Sequence, residues 1–180
     1  MKLIIIDGLD ASGKDTHAKI IKKRFESEGY NVLIRSHPED DNYFGVKAKK
    51  ALSGSNKKDK LMASLYYFLD VLRSLNYYQK EKYDKVIIVR YLMGTAYLPF
   101  PLSAITYKIF KKILPISQYM FLLDVDPEEA FSRLEKRENK EIFENLKDLS
   151  RVRKKILNLV DGDWHIIDTN KPIKEAAKEI

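Results

Sequence analysis

Residues 2–16 read Lys2-Leu3-Ile4-Ile5-Ile6-Asp7-Gly8-Leu9-Asp10-Ala11-Ser12-Gly13-Lys14-Asp15-Thr16. The β-formers Leu3 to Ile6 predict a strand, and His17 to Phe25 carry apolar residues at helical spacing, predicting a helix that begins near Lys14. Between them stand two glycines, Gly8 and Gly13, followed directly by a lysine. Glycines so placed let the backbone turn its N–H groups inward on an anion while Lys14 reaches outer phosphates. The helix start adds its positive dipole end. Gly8, Leu9, Asp10, Ala11, Ser12, Gly13, Lys14, Asp15 and Thr16 are therefore the candidate phosphate-binding residues. The competing reading is an ordinary strand-to-helix turn whose glycines serve only chain reversal.

Working outward, further β-like runs appear at Asn31 to Ser36, Lys85 to Arg90, Tyr119 to Val125 and Trp164 to Asp168, which with the first predict five strands. Each is nearly continuous in apolar residues, the pattern of strands covered on both faces of a parallel sheet. Helical stretches lie between them, so the chain reads as a doubly wound α/β domain. Gly29 is a stop signal for the first helix. Residues 59–83 place Leu61, Leu65, Phe68, Leu69 and Leu72 on one stripe, and Leu102 to Leu114 form another helix between prolines. Asp126-Pro127-Glu128-Glu129 is a start signal, with an N-cap aspartate and proline at the first helical position. The longest expected loop runs from His37 to Gly45.

The chain has 180 residues, the length of one domain, and a single domain over 1–180 is expected. It lacks cysteine, which excludes disulfides and thiolate metal sites, and its three histidines, His17, His37 and His165, are scattered. The N-terminal apolar run is about five residues against roughly 20 for a membrane span, so a soluble, cytoplasmic protein is expected. A net charge of +7 favours acidic partners without choosing among them. Lysines cluster at Lys47, Lys49, Lys50, Lys57, Lys58 and Lys60, and basic residues again at Arg151 to Lys155, without the interleaved aromatics of a nucleic-acid stacking surface. Solvated helix faces are the favoured reading of these runs.

Taken in order, the motifs resemble the thymidylate kinase family of P-loop nucleoside monophosphate kinases, and the resemblance runs essentially from end to end. It is carried by the Gly8 to Thr16 loop with Asp10, by Val89-Arg90-Tyr91, by Asp124 to Arg133 running into Lys136-Arg137 and Glu141 to Glu144, and by Ile166 to Asn170 with Ile173-Lys174-Glu175. It implies a three-layer doubly wound P-loop kinase fold with a five-stranded parallel sheet and a helical lid over about residues 133–147. It also implies ATP and Mg²⁺ as cofactors and transfer of the terminal phosphoryl group to a nucleoside monophosphate, dTMP to dTDP in the first instance. The implied partners are small nucleotide substrates and a second copy of the chain in a homodimer, with neither membrane nor nucleic acid. Lys14, Arg90, Arg133 and Arg137 are the implied catalytic residues, and Asp10, Tyr66, Leu69, Arg73 and Arg90 face the acceptor.

Arg133 and Arg137 are one helical turn apart, where like charges repel by roughly a few tenths of a kcal/mol unless an anion lies between them. They form either a clamp on donor phosphates or a solvated face balanced by Glu129. Arg73 is read either as a base contact or as plain surface, and Arg90 as an acceptor-phosphate contact or a structural ion pair.

Three departures from the family pattern stand out. Asp15 replaces the serine or threonine that follows the loop lysine, Val89 replaces the aspartate expected before Arg90, and Leu69 stands where the family has a stacking phenylalanine. Asp15, with Asp7, is the expected metal-side carboxylate, although Asp15 also simply favours a helix start. Two alternatives stay open: a kinase for another nucleotide or a polyphosphate, and an ATP-binding protein whose catalysis is impaired, with Val89 as its mark.

Overall fold

The structure is a computed structural model that describes residues 2–52, 57–80, 83–136 and 145–180. Five strands, β1 (Lys2–Gly8), β2 (Val32–Ser36), β3 (Lys85–Val89), β4 (Met120–Asp124) and β5 (Trp164–Asp168), pair in parallel in the order β2-β3-β1-β4-β5. The helices are α1 (Lys14–Ser27), α2 (Tyr43–Leu52), α3 (Lys57–Lys80), α4 (Leu102–Ile113), α5 (Pro127–Glu135), α6 (Leu146–Leu159) and α7 (Ile173–Ala176). A 3-10 turn, Met93–Tyr97, follows β3. Strand order reverses about β1, so a crevice opens beyond the carboxyl ends of β1, β3 and β4.

Alternation along β1 sorts its side chains into two layers. Ile5 joins Tyr67, Val71 and Leu75 of α3, Tyr107 and Phe110 of α4, and Leu149, Val152 and Ile156 of α6. Ile4 and Ile6 face the other way, onto Ala18 and Ile21 of α1 and Ala176 of α7. With helices on both faces, an alternating polar strand would bury unpaired groups, which is why β1, β3 and β4 are apolar nearly throughout. Each fully buried isoleucine contributes roughly 1.5–3 kcal/mol by leaving water.

The expectation of fully covered strands holds for the centre and not for the edge. In β5 only Trp164 and Ile167 are buried, and Ile166 is 52% exposed, because β5 is an edge strand beyond which, among the described residues, no strand pairs. The expected loop from His37 to Gly45 ends earlier: the Asn42 side-chain oxygen accepts from the Phe44 and Gly45 amides and starts α2 at Tyr43. At α5, Pro127 takes its place in the first turn, yet Asp126 makes no side-chain cap. Its carboxylate is instead 2.9 Å from Arg153 of α6, whose guanidinium also forks onto Asp124 at 2.8 Å. Charge pairing with α6 outcompetes the local cap. Most of the expected lid, including Arg137 and Glu141 to Glu144, lies outside the described residues. Among the described residues, no helix is long and apolar enough to cross a membrane.

Candidate active site

The loop after β1 is built for close approach. Gly8 has φ +150°, and a Cβ there would sit 2.3 Å from the Leu123 carbonyl oxygen of neighbouring β4. Ala11 and Gly13 have φ of 60° and 88°, left-handed conformations that alternate the direction of successive amides and shape an anion-binding concavity. Gly13 caps α1 without any side-chain bond, so the first-turn amides of the helix keep their capacity for an anion. Ser12 Oγ, buried at the loop's centre, has no hydrogen-bond partner among the described residues. These features fit a phosphate ligand.

Lys14 is 2% exposed and folded back on its own loop, its Nζ donating to the carbonyl oxygens of Gly8 at 3.0 Å and Leu9 at 2.5 Å. Burial, reinforced by the nearby Arg90 charge, brings its pKa down to about 8 against the pull of Asp10, Asp15 and Asp7.

Arg90 follows β3 in a left-handed conformation, φ 56°, that non-glycine residues seldom adopt. Its guanidinium lies 3.4 Å from Asp15, 3.6 Å from Asp10 and 3.3 Å from Ser36 Oγ. Burial works against the charge, but Asp10 and Asp15 outweigh it and raise the pKa of Arg90 further. Asp15 also accepts from Ser36 Oγ at 2.7 Å, so the carboxylate at the start of α1 spans to the ends of β2 and β3. Burial pushes the Asp10 carboxyl up, yet Lys14, Arg90 and the Tyr97 hydroxyl at 2.5 Å hold it below its ordinary value. Two cations and two carboxylates thus share one mouth, where an arriving phosphate must draw the cations away from their partners.

Asp7, expected on the metal side with Asp15, turns its carboxylate onto backbone amides. It is 1% exposed and accepts the amide N–H groups of Tyr91 at 3.0 Å, Leu92 at 2.8 Å and Met93 at 3.2 Å. Burial raises its pKa against the opposing amides. The carboxylate pins the turn after Arg90 to the end of β1. Val89 points to the other layer, fully buried among Ile6, Ala18 and Ile87.

Among the residues expected to face the acceptor, Arg73 lies 3.5 Å from Asp41, which Arg35 holds in a fork at 2.8 and 3.1 Å. Tyr66 meets Tyr43 edge-on, with centroids 6.2 Å apart, and Leu69 is half-buried. Phe68 stacks on Phe110 at 4.4 Å and packs against the core, so it cannot replace the missing aromatic at position 69. Arg133 reaches the Ala11 carbonyl oxygen at 3.2 Å and that of Thr169 at 2.7 Å, with Glu129 on its Nε at 2.8 Å. It is partly exposed and balanced by Glu129, and at the same time tied to the loop. Thr16 lies exposed in the first turn of α1.

The thymidylate kinase family model matches residues 6–180. This chain belongs to the thymidylate kinase family. It is 29% identical over 181 residues to a probable thymidylate kinase of Archaeoglobus fulgidus, covering 99% of this chain and 92% of the relative. A probable thymidylate kinase of Metallosphaera sedula is 29% identical over 178 residues, covering 97% and 88% of the two chains. The fold matches that of thymidylate kinase from Candida albicans with a TM-score of 0.76 at 21% identity, covering 99% of this chain and 88% of that one. Thymidylate kinase family membership and the parallel sheet together make this a P-loop phosphotransferase that takes ATP as donor.

Sequence reasoning passed over Tyr67, Asp70 and Ser36, which the structure brings to the same end of the sheet. Tyr67 and Asp70 are one turn apart on α3, a spacing visible in the sequence, but only the docking of α3 shows that this face meets β2 and β3.

Proposed function

We propose that the chain transfers the terminal phosphoryl group of ATP to a nucleoside monophosphate, deoxythymidylate first among them. The observation that carries this reading is the convergence of Lys14, Arg90, Asp10 and Asp15 on one mouth at the end of β1 in a chain of this family. Lys14 and the loop amides hold the donor phosphates, and Arg90 orients the acceptor phosphate for in-line attack. Phosphoryl transfer asks the protein mainly for such positioning and charge neutralisation. Arg133, anchored on Ala11 and Thr169, keeps α5 against the donor loop, and closing the site over the reactants excludes water. Incubation with ATP, Mg²⁺ and each deoxynucleoside monophosphate in turn, followed by product analysis, tests the reading. Formation of dTDP at the highest rate is the expected result, and ADP release independent of every acceptor overturns it.

Mg²⁺ would supply neutralisation of the donor phosphate charge. Such ions sit on one or two carboxylates plus substrate phosphates. The exposed Asp15 carboxylate at the loop's mouth fits that role, and among the described residues no group of three acidic or histidine side chains forms a protein-only cage. Asp15→Ala is expected to raise the Mg²⁺ concentration for half-maximal rate about 10–100-fold. An unchanged Mg²⁺ requirement with only a small loss of stability, about 0.3–1 kcal/mol, would leave Asp15 a helix-start residue.

The finer partner reading is a homodimer. Leu61 and Leu65 of α3 and Ile105, Ile109 and Ile113 of α4 are each about half exposed at four-residue spacing, and the Phe68–Phe110 stack holds the two helices together. A second copy would cover this apolar face. Sedimentation should give twice the 21.0 kDa chain mass, and Ile109→Glu should reduce it to one. A monomeric wild type removes the proposal.

A further inference from the structure

Asp70 is fully buried and receives three donors. They are His37 Nδ1 at 3.0 Å, the Glu39 amide at 2.8 Å and Asn42 Nδ2 at 2.6 Å. An ionised carboxylate is acceptor-only, so His37 carries its proton on Nδ1 in this arrangement. Burial pushes the Asp70 carboxyl up, and these bonds, His37 foremost, more than reverse it. All three donors belong to the loop after β2. Asn42 in turn starts α2, and a Cβ on Gly45 would lie 1.9 Å from the Glu39 carbonyl oxygen, so the whole segment is folded tightly on Asp70.

The same loop carries Asp41, which pairs with Arg35 and Arg73, and its first residue, His37, bonds through its amide to the Val89 carbonyl oxygen at 3.0 Å. One turn before Asp70, Tyr67 packs edge-on against the His37 ring, with centroids 6.3 Å apart, and its hydroxyl donates to the Arg90 carbonyl oxygen. That is the residue in the left-handed conformation, and the Tyr67 ring also leaves no room for a Cβ on Gly94, at 2.8 Å.

We infer that the buried face of α3 is the positioning element of the acceptor side: Asp70 sets the loop after β2, and Tyr67 sets the Arg90 peptide that aims the guanidinium. This rests on the reading of Arg90 as the acceptor-phosphate residue. Neither side chain needs to touch substrate. They act through Arg90 and through the Arg35–Asp41–Arg73 chain. A carboxylate is required at position 70 because three donors converge there, and an amide of the same shape brings N–H groups of its own against at least one of them.

Tyr67→Phe removes one hydroxyl, and Asp70→Asn changes one carboxylate to its isostere, so both test the idea with minimal loss of packing. Titration calorimetry on the intact chain with deoxythymidine monophosphate and, separately, ATP reads affinity without turnover. Each variant is expected to weaken the monophosphate about tenfold and ATP by less than about twofold, while kcat at saturating acceptor stays within about threefold of wild type. Amide exchange should quicken at residues 39–46 in Asp70→Asn and stay unchanged in α1. Equal losses for both ligands, or a lower kcat with acceptor affinity intact, would show a merely structural role and overturn the inference. A wild type that binds no nucleoside monophosphate overturns the kinase reading and this inference with it, whereas variants that bind it as well as wild type overturn this inference alone.

Discussion

Lys14→Ala is expected to lower kcat/KM for ATP about 10³-fold, or about 4 kcal/mol, the scale of removing a preorganised charge from a developing phosphoryl transition state. The geometry behind the expectation is specific. Lys14 Nζ waits on the Gly8 and Leu9 carbonyl oxygens, inside the concavity that Gly8, Ala11 and Gly13 shape, with Asp10 4.0 Å away. An arriving phosphate gives the ammonium a stronger partner than two carbonyls. A second readout separates this from a general loss of structure. In the empty protein Lys14 releases its proton at about pH 8, because burial and Arg90 disfavour its charge, whereas bound phosphates favour it. Below that pH the lysine is already protonated and ATP binding is independent of the group. Above it, binding must take up a proton, so ATP affinity should fall by about tenfold per pH unit. The slope should vanish in Lys14→Ala. Wild-type affinity that stays flat from about pH 8 to 9.5 would show that the ammonium is not the counter-charge of the donor phosphates.

Arg90→Ala is expected to lower kcat/KM for the acceptor about 10²–10³-fold while leaving KM for ATP within about threefold. Arg90 stands between Asp10 and Asp15 with Ser36 beside it, at the end of a strand that the Asp7 carboxylate helps to fix through the amides of residues 91–93. If Arg90 holds the acceptor phosphate, truncating it removes that counter-charge and also takes from Asp10 and Asp15 the guanidinium they share. Both effects repel an incoming dianion. Arg90→Lys should recover only part of the loss, because an ammonium cannot reproduce the planar fork that grips two phosphate oxygens. Steady-state kinetics with each substrate varied in turn decides the matter. Equal damage to the ATP and acceptor terms would assign Arg90 to a structural ion pair.

Much of the fold was legible because the physics was local. A short run of β-branched isoleucines at positions 4, 5 and 6 favours a strand covered on both faces, and the structure sends Ile5 to one layer and Ile4 and Ile6 to the other. The glycine positions of the loop were equally readable, since Gly8 and Gly13 adopt backbone conformations that other residues resist. The start of α5 shows where local reading stops. Pro127 behaved as its ring dictates, whereas Asp126 abandoned the cap for Arg153, a residue 27 positions later in the chain. Capping is worth about 1 kcal/mol, and a nearby guanidinium competes with it on even terms.

The residues of the mouth divide in the same way. The amino-acid order by itself determined the alternation of strands and helices, the anion-binding loop and the kind of chemistry that loop supports, because each depends on neighbours within a few positions. Which partners each carboxylate meets was decided only by the tertiary structure. Asp7 and Asp15 look alike in the chain, yet one is enclosed by the amides of residues 91–93 and the other opens onto Arg90 and Ser36. Asp70 lies in an otherwise ordinary helix and becomes the anchor of the loop after β2 only when α3 docks there. A side chain's charge is written in the sequence, but its partners are set by which strand ends the parallel sheet brings together, and those ends come from segments as far apart as residues 7 and 93.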